Sequence, residues 1–159
     1  MRVFDASSMI YAWDNYPIQQ FPGLWEWMAD QIGQGELTMP SVALDEVGHK
    51  APECADWLKA SALEVLEISN AILQDAMRIK NLLGVVGDNY HPKGVDENDL
   101  LIIATAASRN AELVSDESKQ KLPDVPAKRK IPAVCSMDEV GVACISFIEY
   151  IKLSGAVFR

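Results

Sequence analysis

Histidine and cysteine are scarce in this sequence, with two and three copies among 159 residues. Cys54, Cys135 and Cys144 lie too far apart for the Cys-x-x-Cys spacing of a zinc knuckle, and an odd, scattered set makes no paired disulfide framework. Three reduced, buried thiols are expected. His49 and His91 lack any partner at a ligand spacing such as His-Glu-x-x-His and read as surface residues. Long hydrophobic runs are missing too. Nothing approaches the ~20 consecutive apolar residues of a membrane-spanning helix, and Asp5 places a charge inside what would have to be the apolar core of a leader. A soluble, cytoplasmic chain with no membrane association is expected. No Gly-x-x-x-x-Gly-Lys-Ser/Thr loop supports a nucleotide triphosphatase, no Gly-x-Ser-x-Gly elbow a serine hydrolase, and the opening lacks the Asp-x-Asp of aspartyl phosphatases. Positive charge is short: 14 Lys and Arg face 23 Asp and Glu, for a formal charge of −9. Such a surface repels nucleic acid at long range, because phosphate binding is driven by Lys and Arg displacing counterions. Bridging cations would be needed to bring the two together.

What is present suits one globular domain spanning residues 1–159, with 49% of the residues hydrophobic. Arg2–Phe4 reads as a strand that stops at Asp5, and Met9, Ile10, Ala12 and Trp13 begin a helical face. Leu24, Trp25, Met28 and Ile32 recur at helical spacing until Gly33 and Gly35 end the element. A strand at Leu37–Met39 leads through Pro40 and Ser41 into a helix carrying Glu46. Cys54 to Leu83 reads as two helices broken near Ser69-Asn70, and Gly84 to Val95 as an ordered loop. A strong helix is expected from Asn98 to Arg109, and a strand from Glu112 to Ser115. After a Lys- and Pro-rich loop, the pattern predicts a strand at Ile131–Val134 and a helix from Asp138 to Ile151. Trp13, Trp25, Trp27 and Trp57, at helical spacing, read as core in preference to a base-stacking surface. Strands separated by helices imply right-handed crossovers, hence an α/β fold: a three-layer α/β/α sandwich around a central parallel sheet of four to five strands.

Ligands of such sheets bind beyond the carboxyl ends of the strands, which directs attention to the residues just after each strand. Asp5 ends the first, Glu46 lies a turn or two into the helix after the second, Asp99 opens the helix leading to the third, and Asp116 ends that third strand. Singly, each has a plain structural explanation as a turn residue, helix cap or solvated helix position. Asp96, three residues before Asp99, reads best as an N-cap. Together, four carboxylates on one rim would repel one another and raise each other's pKa unless cations neutralise them, and oxygen ligands suit Mg²⁺ or Mn²⁺. A cation there would activate water and stabilise charge on a phosphodiester, which is hydrolytic phosphoryl-transfer chemistry. Lys119, Lys121, Lys128, Arg129 and Lys130 form the one basic cluster, directly after Asp116. It reads either as a solvated loop or as a patch where RNA passes.

Four fragments in order carry a family resemblance: Val3-Phe4-Asp5-Ala6-Ser7-Ser8-Met9-Ile10-Tyr11-Ala12, Ser41-Val42-Ala43-Leu44-Asp45-Glu46-Val47, Asn98-Asp99-Leu100-Leu101-Ile102-Ile103-Ala104-Thr105-Ala106 and Leu113-Val114-Ser115-Asp116. They resemble the PIN-domain superfamily of nucleases, which includes the toxins of VapBC toxin–antitoxin pairs. Tyr11, Trp13, Trp25 and Trp27, with Ile131-Pro132-Ala133-Val134-Cys135, look like a PIN-like branch known only as a domain of unknown function. The resemblance implies Asp5, Glu46 and Asp99 as metal-binding acids, Asp116 as a fourth, Ser7 and Ser115 as hydroxyls that orient carboxylates, and Asp96 as an extra acid outside the pattern. It further implies Mg²⁺- or Mn²⁺-dependent hydrolysis of RNA, an antitoxin partner and a homodimer. Two other readings stand beside it: a PIN scaffold that binds proteins without cutting, and a metal-dependent phosphoesterase acting on DNA or a small phosphorylated substrate.

Overall fold

A computed structural model describes all residues, 1–159. Five short strands, β1 (Arg2–Phe4), β2 (Leu37–Pro40), β3 (Glu64–Leu66), β4 (Glu112–Val114) and β5 (Cys144–Ile145), form one sheet in the order β3-β2-β1-β4-β5. Every pairing is parallel. The chain enters at the centre, steps outward through β2 to β3, then returns past β1 to build β4 and β5.

Eight helices connect and cover the strands: α1 (Ala6–Asn15), α2 (Pro22–Gly33), α3 (Ser41–Lys50), α4 (Pro52–Ala60), α5 (Asn70–Leu82), α6 (Glu97–Ser108), α7 (Ile131–Cys135) and α8 (Phe147–Ser154). Right-handed crossovers put α1 to α4 on one face of the sheet and α5 to α7 on the other, because the direction of strand addition reverses after β3. The packing of α1 against α3 and α8, and of α6 against α5 and α7, agrees with that division. Helix α6 is buried from Asp99 to Ala106. An element enclosed on all sides needs no polar stripe, which explains its unbroken apolar run.

The α/β class, the three layers and the parallel sheet match the expectation from sequence, while several local assignments need correction. The stretch read as two helices between Cys54 and Leu83 also contains β3 between them, and the strand ending near Asp116 is therefore the fourth. Ile131–Val134, expected as a strand, is the short helix α7. Its β-branched content suggested a strand, but Pro132 suits a first helical turn, and the Ile131 N–H is capped from a distance by Glu117 Oε2 at 2.9 Å. Asp138 to Ile151 is a turn, then β5, then α8, which starts at a Ser146–Glu149 capping box.

The tryptophans are core residues. Trp25 is buried and donates its indole N–H to the Tyr16 carbonyl at 2.7 Å. Trp13 and Trp57 meet its ring edge-on at 5.3 and 4.9 Å, and Trp27 packs on Tyr150 and Phe158. Two loops that border the sheet's carboxyl edge are also docked together. The Val95 N–H donates to the Arg129 carbonyl at 2.9 Å, and a β-carbon on Gly94 would overlap the Ala127 carbonyl oxygen.

Gly94→Ala should therefore destabilise the chain by about 1–3 kcal/mol, the usual effect of forcing a methyl group into occupied space. Gly33→Ala, where an added β-carbon meets nothing within 4 Å, should be neutral or slightly stabilising. Chemical denaturation of the two variants checks the contrast, and equal stability would show that the loops are not held in this contact.

Candidate active site

The reversal of strand order between β1 and β4 opens a crevice at the carboxyl edge of the sheet, where parallel α/β folds place their ligands. β1 delivers Asp5 to that crevice, and β4 delivers Ser115, Asp116 and Glu117. Asp5 lies at the centre, its N–H donating to the Val114 carbonyl at 2.9 Å. With 2% of its surface exposed, its carboxylate needs protein donors. Two hydroxyls supply them: Ser7 Oγ donates to Asp5 Oδ2 at 2.6 Å and Ser115 Oγ to the same oxygen at 3.0 Å. The same hydroxyls accept the N–H groups of Asp116 at 3.0 Å and Glu117 at 3.3 Å, so the chain after β4 is fixed relative to Asp5.

Glu46 projects from α3 and Asp99 from the first turn of α6. Asp96 and Asp99 form a reciprocal capping box: Asp96 Oδ1 accepts the Asp99 N–H at 2.9 Å, and Asp99 Oδ2 accepts the Asp96 N–H at 3.0 Å. Asp99 turns inward and is 9% exposed, whereas Asp96 stays exposed. Asp96 is thus the N-cap expected from sequence, and Asp99 faces the crevice. Asp116 accepts the Phe147 N–H at the start of α8, at 3.2 Å to Oδ2.

Asp5, Glu46, Asp99, Asp116 and Glu117 line one open cavity of about 380 Å³, together with Ser7, Ile10, Tyr11, Asp14, Asn15 and Lys50. The four acids named from sequence are thus brought together. Glu117 and Lys50 were missed. Glu117 follows Asp116 directly and Lys50 stands one helical turn beyond Glu46, so their spacing was visible, but neither projection was. Tyr11, Asp14 and Asn15 continue the Ser7 face of α1 at helical spacing. None of Lys119, Lys121, Lys128, Arg129 and Lys130 lines the cavity. Lys119 instead pairs with Glu149 at 2.8 Å, the Arg129 side chain donates to the Pro123 carbonyl at 3.2 Å, and only Lys130 acts electrostatically on a cavity acid, Glu117.

Asp5, Glu46, Asp99, Asp116 and Glu117 are all pushed above their ordinary range. Burial is the leading cause for each. The charge of Asp5 adds repulsion at Glu46, Asp99, Asp116 and Glu117. Asp99 is moved to about 9, by burial and then by the neighbouring Glu117. An oxygen-only set of mutually repelling, partly desolvated acids fits a hard divalent cation. No three of the chain's acidic, histidine and cysteine side chains stand close enough to enclose an ion by themselves. Water would complete the coordination, as is usual for Mg²⁺.

A carboxyl with a raised folded-state pKa binds its proton more tightly in the native chain than in the unfolded one. That contribution to stability is complete below the unfolded value and is lost as pH rises through the folded value. For Asp99 the window runs from about 4 to about 9. In chelator the protein should melt higher at pH 5.5 than at pH 8.5, by about 2–4 °C for each kcal/mol involved. Asp99→Asn should flatten this dependence, and Mn²⁺ at pH 8.5 should recover the lost stability. A pH slope unchanged by Asp99→Asn would show that the acids do not interact as described.

The family model described as "Domain of unknown function (DUF4411)" matches residues 3–158. No curated protein matches the sequence. Among solved structures, DNA-bound VapBC from Salmonella typhimurium aligns with a TM-score of 0.57 and 20% identity, covering 92% of this chain and 97% of that one. FitAcB from Neisseria gonorrhoeae aligns at 0.56 and 14% identity, covering 93% and 99%. PAE2754 from Pyrobaculum aerophilum aligns at 0.51 and 16%, covering 98% and 97%. Identities this low establish a shared fold and nothing about activity. The match over nearly the whole length, with the five-stranded parallel sheet and its helices, places this chain in the DUF4411 family, a branch of unknown function built on the PIN-domain fold.

Proposed function

We propose that the chain is a metal-dependent endoribonuclease in which Asp5, Glu46 and Asp99, helped by Asp116 and Glu117, hold Mg²⁺ or Mn²⁺ directly or through bound water. The observation that carries this reading is the shared cavity, where partly desolvated carboxyls from β1, α3, α6 and the chain after β4 meet and the charge of Asp5 raises the pKa of Glu46, Asp99, Asp116 and Glu117. A divalent cation bound there would supply an activated water nucleophile and neutralise charge developing on a phosphodiester.

The chain's own groups have definable tasks. Ser7 and Ser115 hold the Asp5 carboxylate in one orientation. The capping box fixes Asp99 on the rigid start of α6. Lys50 is the one cationic side chain lining the cavity, suitably charged for a substrate phosphate in a molecule that otherwise repels it. The resemblance to VapBC toxins, with the shared fold, supports a role as the toxin of a toxin–antitoxin pair, with an antitoxin partner and a homodimeric state.

Purified protein should cleave single-stranded RNA with Mn²⁺ or Mg²⁺ and stop in chelator. Asp5→Asn and Asp99→Asn should each lower the rate by about 100-fold or more, since several kcal/mol of charge stabilisation depend on the cation. Lys50→Ala should raise KM more than it lowers kcat. Undiminished cleavage in both Asp variants would reject the assigned site. The spacing of the acids, too wide for three to enclose an ion, favours one rival: a PIN scaffold that binds protein without cutting. Tight, metal-independent partner binding by a wild-type chain that cleaves no RNA or DNA would establish that alternative.

A further inference from the structure

Of the three thiols expected to be reduced and buried, Cys54 and Cys135 are buried and Cys144 is only half-buried. Cys135 closes α7 and Cys144 opens β5. Between them the chain doubles back, with the N–H groups of Val140 and Gly141 donating to the Met137 carbonyl at 2.9 and 2.8 Å. Gly141 takes a φ of +61°, a conformation that suits glycine. The Val142 N–H then donates to the carbonyl of Cys135 itself at 3.2 Å. The turn therefore returns the chain beside the residue it left, two residues short of Cys144, and Cys144 is near enough to act on the Cys135 thiol.

Their surroundings differ in a way that matters for chemistry. Cys135 is 1% exposed. Cys144 is half-buried and lines an open cavity of about 310 Å³ with Lys119, Gln120, Leu122, Pro132 and Ser136. Cys54 is fully buried on α4 and shares neither the cavity nor the thiol contact. One accessible sulfur next to a hidden one is the arrangement of an attacking and a resolving cysteine.

We propose that Cys135 and Cys144 form a reversible disulfide by exchange with a small anionic disulfide, such as oxidised glutathione, that enters through the cavity beside Lys119. Cys144, as thiolate, attacks one sulfur of the small disulfide. That S–S bond breaks, one thiolate departs, and a mixed disulfide remains on Cys144. Cys135 then loses its proton and attacks the Cys144 sulfur, which breaks the mixed bond and forms the Cys135–Cys144 bond. The second small thiolate leaves, and the two cysteine protons end on the two released thiols. Two electrons pass from the protein pair to the small disulfide. The neighbouring Cys144, together with burial, pushes the Cys135 thiol up, in keeping with Cys144 reacting first.

The pair lies outside the acidic cavity, and its chemistry is independent of the nuclease reading. The two regions nevertheless share an element. The first N–H of α7, from Ile131, holds Glu117 Oε2 at 2.9 Å, so the crosslink would clamp the helix that anchors a cavity carboxylate.

The test is to equilibrate the full chain with mixtures of oxidised and reduced glutathione, trap free thiols by alkylation and map the peptides by mass spectrometry. Wild type and Cys54→Ser should both yield a Cys135–Cys144 crosslinked peptide lacking two hydrogens, reversed by excess reduced glutathione. Cys135→Ser should stop with one glutathione on Cys144, and Cys144→Ser should leave Cys135 alkylatable. Three alkylatable thiols in oxidised wild type, or a crosslink that includes Cys54, would overturn the proposal. The wild-type map decides the matter even if a variant fails to fold.

Discussion

Holding the Asp5 carboxylate at the centre of a parallel sheet is the constraint on which the site's construction depends. A buried carboxylate is tolerated only with donors aimed at it, and here they come from both flanks of the crevice, Ser7 on α1 and Ser115 after β4. These hydroxyls also accept the backbone N–H groups of Asp116 and Glu117. A single network therefore satisfies a buried acid, joins β1 to β4 beyond the last ladder bond, and sets where the next two carboxylates point. Ser8 reinforces it, donating to the carbonyls of Asp5 and Val114 at 2.8 and 2.9 Å.

Three other acids of the cavity have structural occupations as well. Asp99 completes a capping box, Asp116 accepts the N–H that opens α8, and Glu117 accepts the N–H that opens α7. Each carboxylate is thereby tied to the start of a rigid element, where the helix dipole favours negative charge. Positioned acids lose little freedom when a cation arrives, and this preorganisation is what a metal-dependent hydrolase requires of its scaffold. The same ties explain why the acids can remain gathered despite raising one another's pKa. Their backbone partners and the apolar layers of the sandwich hold them, and relief of the repulsion is left for a ligand.

Structures only 14–20% identical share this architecture. That is understandable if the architecture rests on patterning: strands of two to four residues, a helix α6 buried all round, and an aromatic cluster around Trp25. Many apolar sets can fill such layers. The crevice is less permissive, because each buried charge there needs a particular donor. The basic loop behaves differently: Gln120 folds it back, its Oε1 accepting the Lys130 N–H at 2.7 Å, and of its cations only Lys130 acts on a cavity acid.

The sequence by itself determined the class of fold and the four principal acids, because strand-then-helix alternation admits few topologies and because Asp5, Glu46, Asp99 and Asp116 fall at strand ends or helix starts. It also held a signal that went unused: Ser146 followed by Glu149 marks the start of α8, and reading through it produced one false helix. Strands as short as β3 and β5 have too few residues to express a period of two, so nothing local distinguishes them. Only tertiary structure decided that Ile131–Cys135 is helical, since its cap comes from Glu117, fourteen residues away in the chain. It alone recruited Glu117 and Lys50, and set Cys135 against Cys144. Each of these is a meeting of groups whose distance depends on how loops return, and a pattern of residue types carries no such information.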